Sequence, residues 1–196
     1  SMDSELVQLL EQAANCHRFE KIRLSNYDEC TDFVIGTQFG AITFSLVFPE
    51  NGKIVAFRGT DNSVIGWKED FQLAYAEQTP AQEAAARYLE RSIGIFSGRV
   101  FVCGHSKGGN LAIYAGSRQN LLRQNKISKI LNFDGPGFDF SIVERSSFSE
   151  CENKITNFIP EESIVGMLLE PVGKRVVVAS SSRLINQHNA LSWGVN

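Results

Sequence analysis

The sequence predicts an α/β fold: a mostly parallel sheet preceded by a β-hairpin, with helices on both faces. Three observations predict it. From Arg99 onward, strand-like and helix-like segments alternate as RVFVC, LAIYAGSR, KISKILNF, a loop around DGPGFDF, KITNFI, SIVGMLL and KRVVVA, the order that parallel strands with crossover helices require. The apolar runs VFVC and VVVA are continuous rather than alternating, as in strands covered on both faces. Upstream, AITFSLVF (41–48) and KIVAFR (53–58) flank Pro49-Glu50-Asn51-Gly52, a hairpin signature in which Gly supplies a positive φ.

The remaining elements follow from periodicity and caps. Residues from about 3 to 18 place Leu6, Leu9, Leu10, Ala13 and Ala14 at helical spacing, which predicts an N-terminal amphipathic helix with a packing role. A second helix has a well-marked start, with Thr79 as N-cap, Pro80 at the first helical position and Gln82 completing a capping box. Its apolar face is Ala81, Ala84, Ala85, Tyr88, Leu89 and Ile93. No repeat, low-complexity tract or linker divides the chain, so residues 1–196 read as a single domain. Ser1 ahead of Met2 reads as a cloning remnant.

Composition narrows the function classes. Apolar residues make up 43% and charged residues 21%, values of an ordinary globular chain rather than a disordered or fibrous one. A formal net charge of −3, with no dense run of Lys or Arg, lacks the electrostatic footprint of a nucleic-acid binder. The N-terminus SMDSELVQLL has neither the basic nor the long apolar region of a signal peptide, and no apolar run approaches membrane-spanning length. The four cysteines, Cys16, Cys30, Cys103 and Cys151, are widely and unevenly spaced, which reads as reduced thiols in a cytoplasmic protein. No H-E-x-x-H, paired C-x-x-C or calcium loop suggests a metal, and no organic cofactor is expected.

Chemistry concentrates in VFVCGHSKGGNLAIYAGS (100–117). A strand entering G-x-S-x-G and a helix leaving it is the context of a nucleophile elbow. Gly104 and Gly108 remove Cβ atoms where strand and helix approach, and Gly109 extends the clearance, so Ser106 can take strained backbone angles with its Oγ above the sheet. The helix beginning near Lys107 aims N–H groups and the positive end of its dipole at the same place. Lys107 would contribute its main-chain N–H while its side chain faces solvent. The competing readings are a turn that merely needs small residues, or a phosphate cradle. The loop matches neither G-x-x-x-x-G-K-[ST] nor G-x-G-x-x-G.

A serine nucleophile needs a base, and there are three histidines. His105 adjoins Ser106, and successive side chains at a strand end point to opposite sides, so it reads as packing in the elbow. His17 ends the first helix, where the dipole or solvent accounts for it. His188, in RLINQHNALSW after the last strand, can reach the C-terminal edge of the sheet. For the acid, Asp134 ends the strand after the serine helix and ranks first. Glu162, after KITNFI, ranks second; Glu161 and Glu162 also suit the first turn of a helix. A Ser-His dyad supported by a carbonyl or water is the remaining option, and for Asp134 the plain alternative is a turn residue in Asp-Gly-Pro-Gly.

With these residues assembled, the chain resembles the α/β-hydrolase superfamily, and within it a small bacterial branch related to the class 3 lipases. The resemblance runs from about Phe39 to Trp193 and is carried by FRGTDNSVIGWKEDF, GHSKGGN, the DGPGF loop, SIVGMLL and QHNALSW. In such lipases F-R-G-[ST] supplies the second oxyanion-hole donor, which implies that role for Thr60. Trp67 and Asp70 resemble the lid or post-strand helix of those enzymes, or else serve packing and capping. Their catalytic aspartate stands in a D-[IV]-V-P-like context where this chain reads Ser163-Ile164-Val165-Gly166, and Asp134 stands where they carry a small residue. A relocated acid fits both departures. The resemblance implies a serine esterase or lipase acting on a small acyl ester or lipid, without nucleic acid and without a membrane span. The alternative is a non-catalytic module of the same fold that binds a partner or ligand; a nucleotide-binding domain is a third, weaker reading.

Overall fold

The structure is a computed structural model and describes residues 4–32, 37–46, 51–59 and 77–194. One sheet runs in sequence order through β1 (Arg23–Asp32), β2 (Thr37–Leu46), β3 (Gly52–Phe57), β4 (Arg99–His105), β5 (Ile127–Phe133), β6 (Ile155–Pro160) and β7 (Lys174–Val178). β1, β2 and β3 pair antiparallel, and every later neighbour pairs parallel. The helices are α1 (Ser4–Ala14), α2 (Pro80–Ser92), α3 (Lys107–Ser117) and the short α4 (Leu121–Gln124).

α2 starts as its sequence dictates. Gln82 N–H donates to Thr79 Oγ1 at 3.2 Å, and Thr79 N–H donates to Gln82 Oε1 at 2.9 Å, both halves of a capping box with Pro80 inside it. Ala81, Ala85, Tyr88, Leu89 and Ile93 are buried. α2 and α3 lie side by side over β2 to β5, enclosing Val55, Val100, Val102, Leu111, Ile113 and Ile130 without solvent exposure. Each such side chain contributes about 1.5–3 kcal/mol relative to exposure. The opposite sheet face, carrying Phe101, Cys103, Leu131 and Phe133, is half-buried.

Four expectations are corrected. β1 was unforeseen: RLSNYDECTD has no apolar periodicity and stays exposed along most of its length, held by its ladder to β2 across an irregularity between Ser25 and Asp28. The predicted hairpin is therefore part of a three-stranded antiparallel unit. α1 ends at Ala14, a 3-10 turn (His17–Phe19) follows, and Leu6, Leu9 and Leu10 are exposed rather than packed. SIVGMLL forms a single 3-10 turn (Val165–Met167), too short to complete a helical face. VVVA lies at the sheet edge, where Val177 is 69% exposed, so its continuous apolar run is covered on one side only.

Parallel pairing fixes where loops gather. β4 and β5 end in register at His105 and Phe133, beside Phe158 two residues before the end of β6, so Ser106, Asp134 and residues 161–166 leave the same edge of the sheet.

Candidate active site

Ser106 caps α3 with φ 57° and ψ −133°, a left-handed conformation that costs a serine on the order of 1–3 kcal/mol. Neighbouring bonds enforce it: Ser106 N–H donates to Phe133 O at 2.9 Å, and Gly109 N–H to Ser106 O at 2.8 Å. Close approach enforces it too. A Cβ on Gly104 would lie 2.1 Å from Gly108 O, and one on Gly108 would lie 2.3 Å from Phe57 O. Any larger residue at either position must open the elbow.

Asp134, also at positive φ (52°), is 1% exposed. Burying a carboxylate this deeply is costly unless its oxygens are bonded. Here Oδ2 accepts from His188 Nδ1 at 2.8 Å, while Oδ1 accepts from Gly166 N–H at 3.1 Å and from the Ser163 hydroxyl. An ionised carboxylate only accepts, so His188 carries its proton on Nδ1 and leaves Nε2 as the basic nitrogen. Glu162 is elsewhere engaged. Its Oε2 accepts from Leu184 N–H at 3.0 Å, and its own N–H donates to Gln187 Oε1 at 2.8 Å. Of the two candidate acids, Asp134 meets the imidazole, while Glu162 caps the 3-10 turn (Leu184–His188) that carries it.

Ser106 and the Asp134–His188 pair thus share one sheet edge. Among the described residues, the Ser106 hydroxyl and His188 Nε2 make no hydrogen bond. Catalytic contacts in ligand-free sites commonly tighten only when substrate binds.

Lys107 departs from expectation. Its N–H is the first of α3, but the side chain is 2% exposed rather than solvated, and its Nζ donates to Gln38 O at 3.0 Å. It spans from the elbow to the start of β2, and the letters alone gave no sign of that partner. The Phe-Arg-Gly segment passes against the serine: a Cβ on Gly59 would meet Ser106 Cβ at 3.2 Å. Thr60, Trp67 and Asp70 lie outside the described residues.

Several site residues carried no signal in isolation. Ser163 and Gly166, in the stretch where the resemblance leads one to look for an aspartate, instead bond the carboxylate of Asp134. Asn110, last residue of GHSKGGN, donates to Pro136 O (3.3 Å) and Gly137 O (2.9 Å) and accepts from Gln82 Nε2 (2.8 Å). Asn132 holds the same loop, accepting from Gly135 N–H at 2.8 Å. Trp193 Nε1–H donates to Gln187 O at 2.7 Å. His105 does more than fill space: its Nε2 lies 2.7 Å from His188 O.

All four cysteines are free. Burial pushes the Cys103 and Cys151 thiols up to about 11, so neither offers a thiolate at neutral pH. Among the described residues no group of His, Cys, Asp or Glu is arranged to hold a metal ion, and no helix is long and apolar enough to cross a membrane.

The sheet order, the crossover helices and the strained serine turn define an α/β-hydrolase-like fold of the lipase kind. Solved structures agree in fold: an M37 lipase superposes with a TM-score of 0.56 at 16% identity, over 85% of this chain and 64% of that one. A fungal lipase, solved as an inhibitor complex bearing on interfacial activation, gives 0.53 at 15% identity over 89% and 72%. The chain therefore spans less than two thirds of the M37 lipase. A family model described as Mbeg1-like matches residues 13–196, and the chain belongs to the Mbeg1-like family. No curated protein matches the sequence.

Proposed function

We propose that the protein is a serine hydrolase that cleaves a carboxylic ester through an acyl-enzyme. The observation that carries the reading is the buried Asp134 carboxylate 2.8 Å from His188 Nδ1, at the sheet edge where Ser106 stands strained at the head of α3. Such a pair fixes the tautomer whose Nε2 can act as general base.

In this mechanism Ser106 Oγ forms a bond to the ester carbonyl carbon as His188 Nε2 takes its proton. The oxyanion rests on the Lys107 N–H and on the Thr60 group. Collapse breaks the carbon–oxygen bond of the ester, and the His188 proton passes to the departing alcohol. Water, deprotonated by His188, then attacks the acyl-enzyme and releases acid and serine. Asp134 stays ionised throughout and stabilises the imidazolium.

The surroundings favour an apolar acyl group. Ile164, Met167 and Leu168 flank the turn that bonds Asp134, and Leu184 and Ile185 begin the turn that carries His188; all five are exposed. Exposed apolar side chains on both turns suit a lipid-like ester better than a charged substrate. Hydrolysis of p-nitrophenyl esters of increasing acyl length tests the reading. Wild-type turnover that Ser106→Ala lowers by about three orders of magnitude or more is expected. Equal turnover in the two proteins would reject it, leaving a non-catalytic binding module of the same fold.

A further inference from the structure

We propose that His105 is a positioning residue for the general base, tying the main chain of residue 188 to the end of β4 so that the imidazole is held over the serine turn. The proposal rests on the reading of Ser106, His188 and Asp134 as a hydrolytic triad, and it assigns a role to a histidine that the mechanism above does not use.

Three contacts fix the base. Asp134 Oδ2 holds Nδ1 of the ring at 2.8 Å. His105 Nε2 holds the main-chain oxygen of the same residue at 2.7 Å. The two imidazoles face each other with centroids 4.5 Å apart and planes inclined by 35°, which limits tilt of the His188 ring. The turn that carries the base needs such fixing, because Leu184, Ile185 and Asn186 are exposed and give it little packing. Trp193 backs the His105 ring at 6.5 Å and bonds the preceding carbonyl, Gln187 O. Consecutive residues at the end of β4 thus divide the work: Ser106 projects toward substrate while His105 reaches back to the base.

The bond also fixes protonation. A carbonyl oxygen only accepts, so His105 carries its proton on Nε2 and leaves Nδ1 bare. Burial, reinforced by the neighbouring His188 ring and opposed by the bond to the His188 carbonyl and by Asp134, holds His105 below the ordinary histidine pKa. When His188 takes the serine proton, the pair therefore carries one positive charge rather than two. A displacement of about 1 Å at a reacting group can cost on the order of 100-fold in rate, which sets the scale of the effect.

The test uses the full chain with His105→Phe, which keeps a ring but loses the donor, and His105→Gln, whose side-chain N–H can occupy the place of Nε2. In ester hydrolysis the Phe variant is expected to lose roughly 10- to 100-fold in kcat, with KM little changed, and the Gln variant to recover most of it. In proton spectra the far-downfield signal of the Asp134–His188 bond should persist in wild type and Gln and vanish in Phe. Wild-type kcat in His105→Phe, or a Gln variant as impaired as Phe, overturns the proposal. Should the Phe variant not fold, nitrogen-proton correlation of the wild-type imidazoles decides: an Nε2–H tautomer at His105 supports the role and an Nδ1–H tautomer overturns it. If the wild type itself hydrolyses no ester, the hydrolase reading falls, while the tautomer and the downfield proton still decide the positioning role.

Discussion

Asp134 is the residue on which the proposed chemistry turns, because its burial makes its bonding partners obligatory. Three donors hold the carboxylate, and only the bond to His188 bears on a base. Asp134→Asn is expected to lower the kcat of ester hydrolysis by about three to four orders of magnitude, since an amide stabilises the wrong imidazole tautomer. Glu162→Gln, which retains an oxygen acceptor for Leu184 N–H, should stay within about threefold. The same kinetic assay reads both. His105 gives a second prediction at this scale. Its pKa lies below the ordinary 6.5 because of burial first and His188 second. A lowered folded value means that the unfolded chain binds the proton first as pH falls, so stability from this site drops once pH passes below about 6.5 and is unaffected above it. Thermal melts between pH 7.5 and 5 should therefore show a steeper acid loss in wild type than in His105→Gln.

At the scale of elements, three buried amides connect helix, elbow and acid loop. Gln82 closes the cap of α2 and donates to Asn110; Asn110 holds Pro136 and Gly137; Asn132 holds Gly135 and Asn157. Removing Asn110 takes the partner from Gln82 Nε2 and from the carbonyls of Pro136 and Gly137. Asn110→Leu is expected to cost about 3 kcal/mol, read as a fall in Tm of roughly 6–12 °C for a chain this size, with a further loss of activity because the loop after Asp134 shifts. This network marks where the letters stop informing. The cap of α2, the G-x-S-x-G turn and the alternation from Arg99 onward are local patterns, legible because each is fixed by neighbours in sequence. The bonds from Asn110 to Pro136, from Ser163 to Asp134 and from Lys107 to Gln38 span 26 or more positions, and pairing at that range is set by sheet register, which no local pattern encodes. β1 was missed for a related reason: it is polar on both faces, and only its ladder to β2 makes it a strand.

At the scale of the molecule, the strand order brings Ser106 just after β4, Asp134 just after β5 and the turn bearing His188 to one edge of the sheet. The sequence ranks Asp134 before Glu162 because adjacent parallel strands put their ends together, and Asp134 is the one of the two that bonds His188. Ser163 and Gly166, brought over from beyond the end of β6, supply hydrogen bonds that offset the cost of burying a carboxyl group after β5. Ser106 as nucleophile is the proposal on which the chemistry depends, and covalent labelling tests it without knowledge of the natural substrate. A fluorophosphonate probe, with the modified peptide mapped by mass spectrometry, should attach to Ser106 in the wild type and leave folded Ser106→Ala unlabelled. A folded wild-type protein that takes up no probe, or takes it up equally in Ser106→Ala, would contradict the claim.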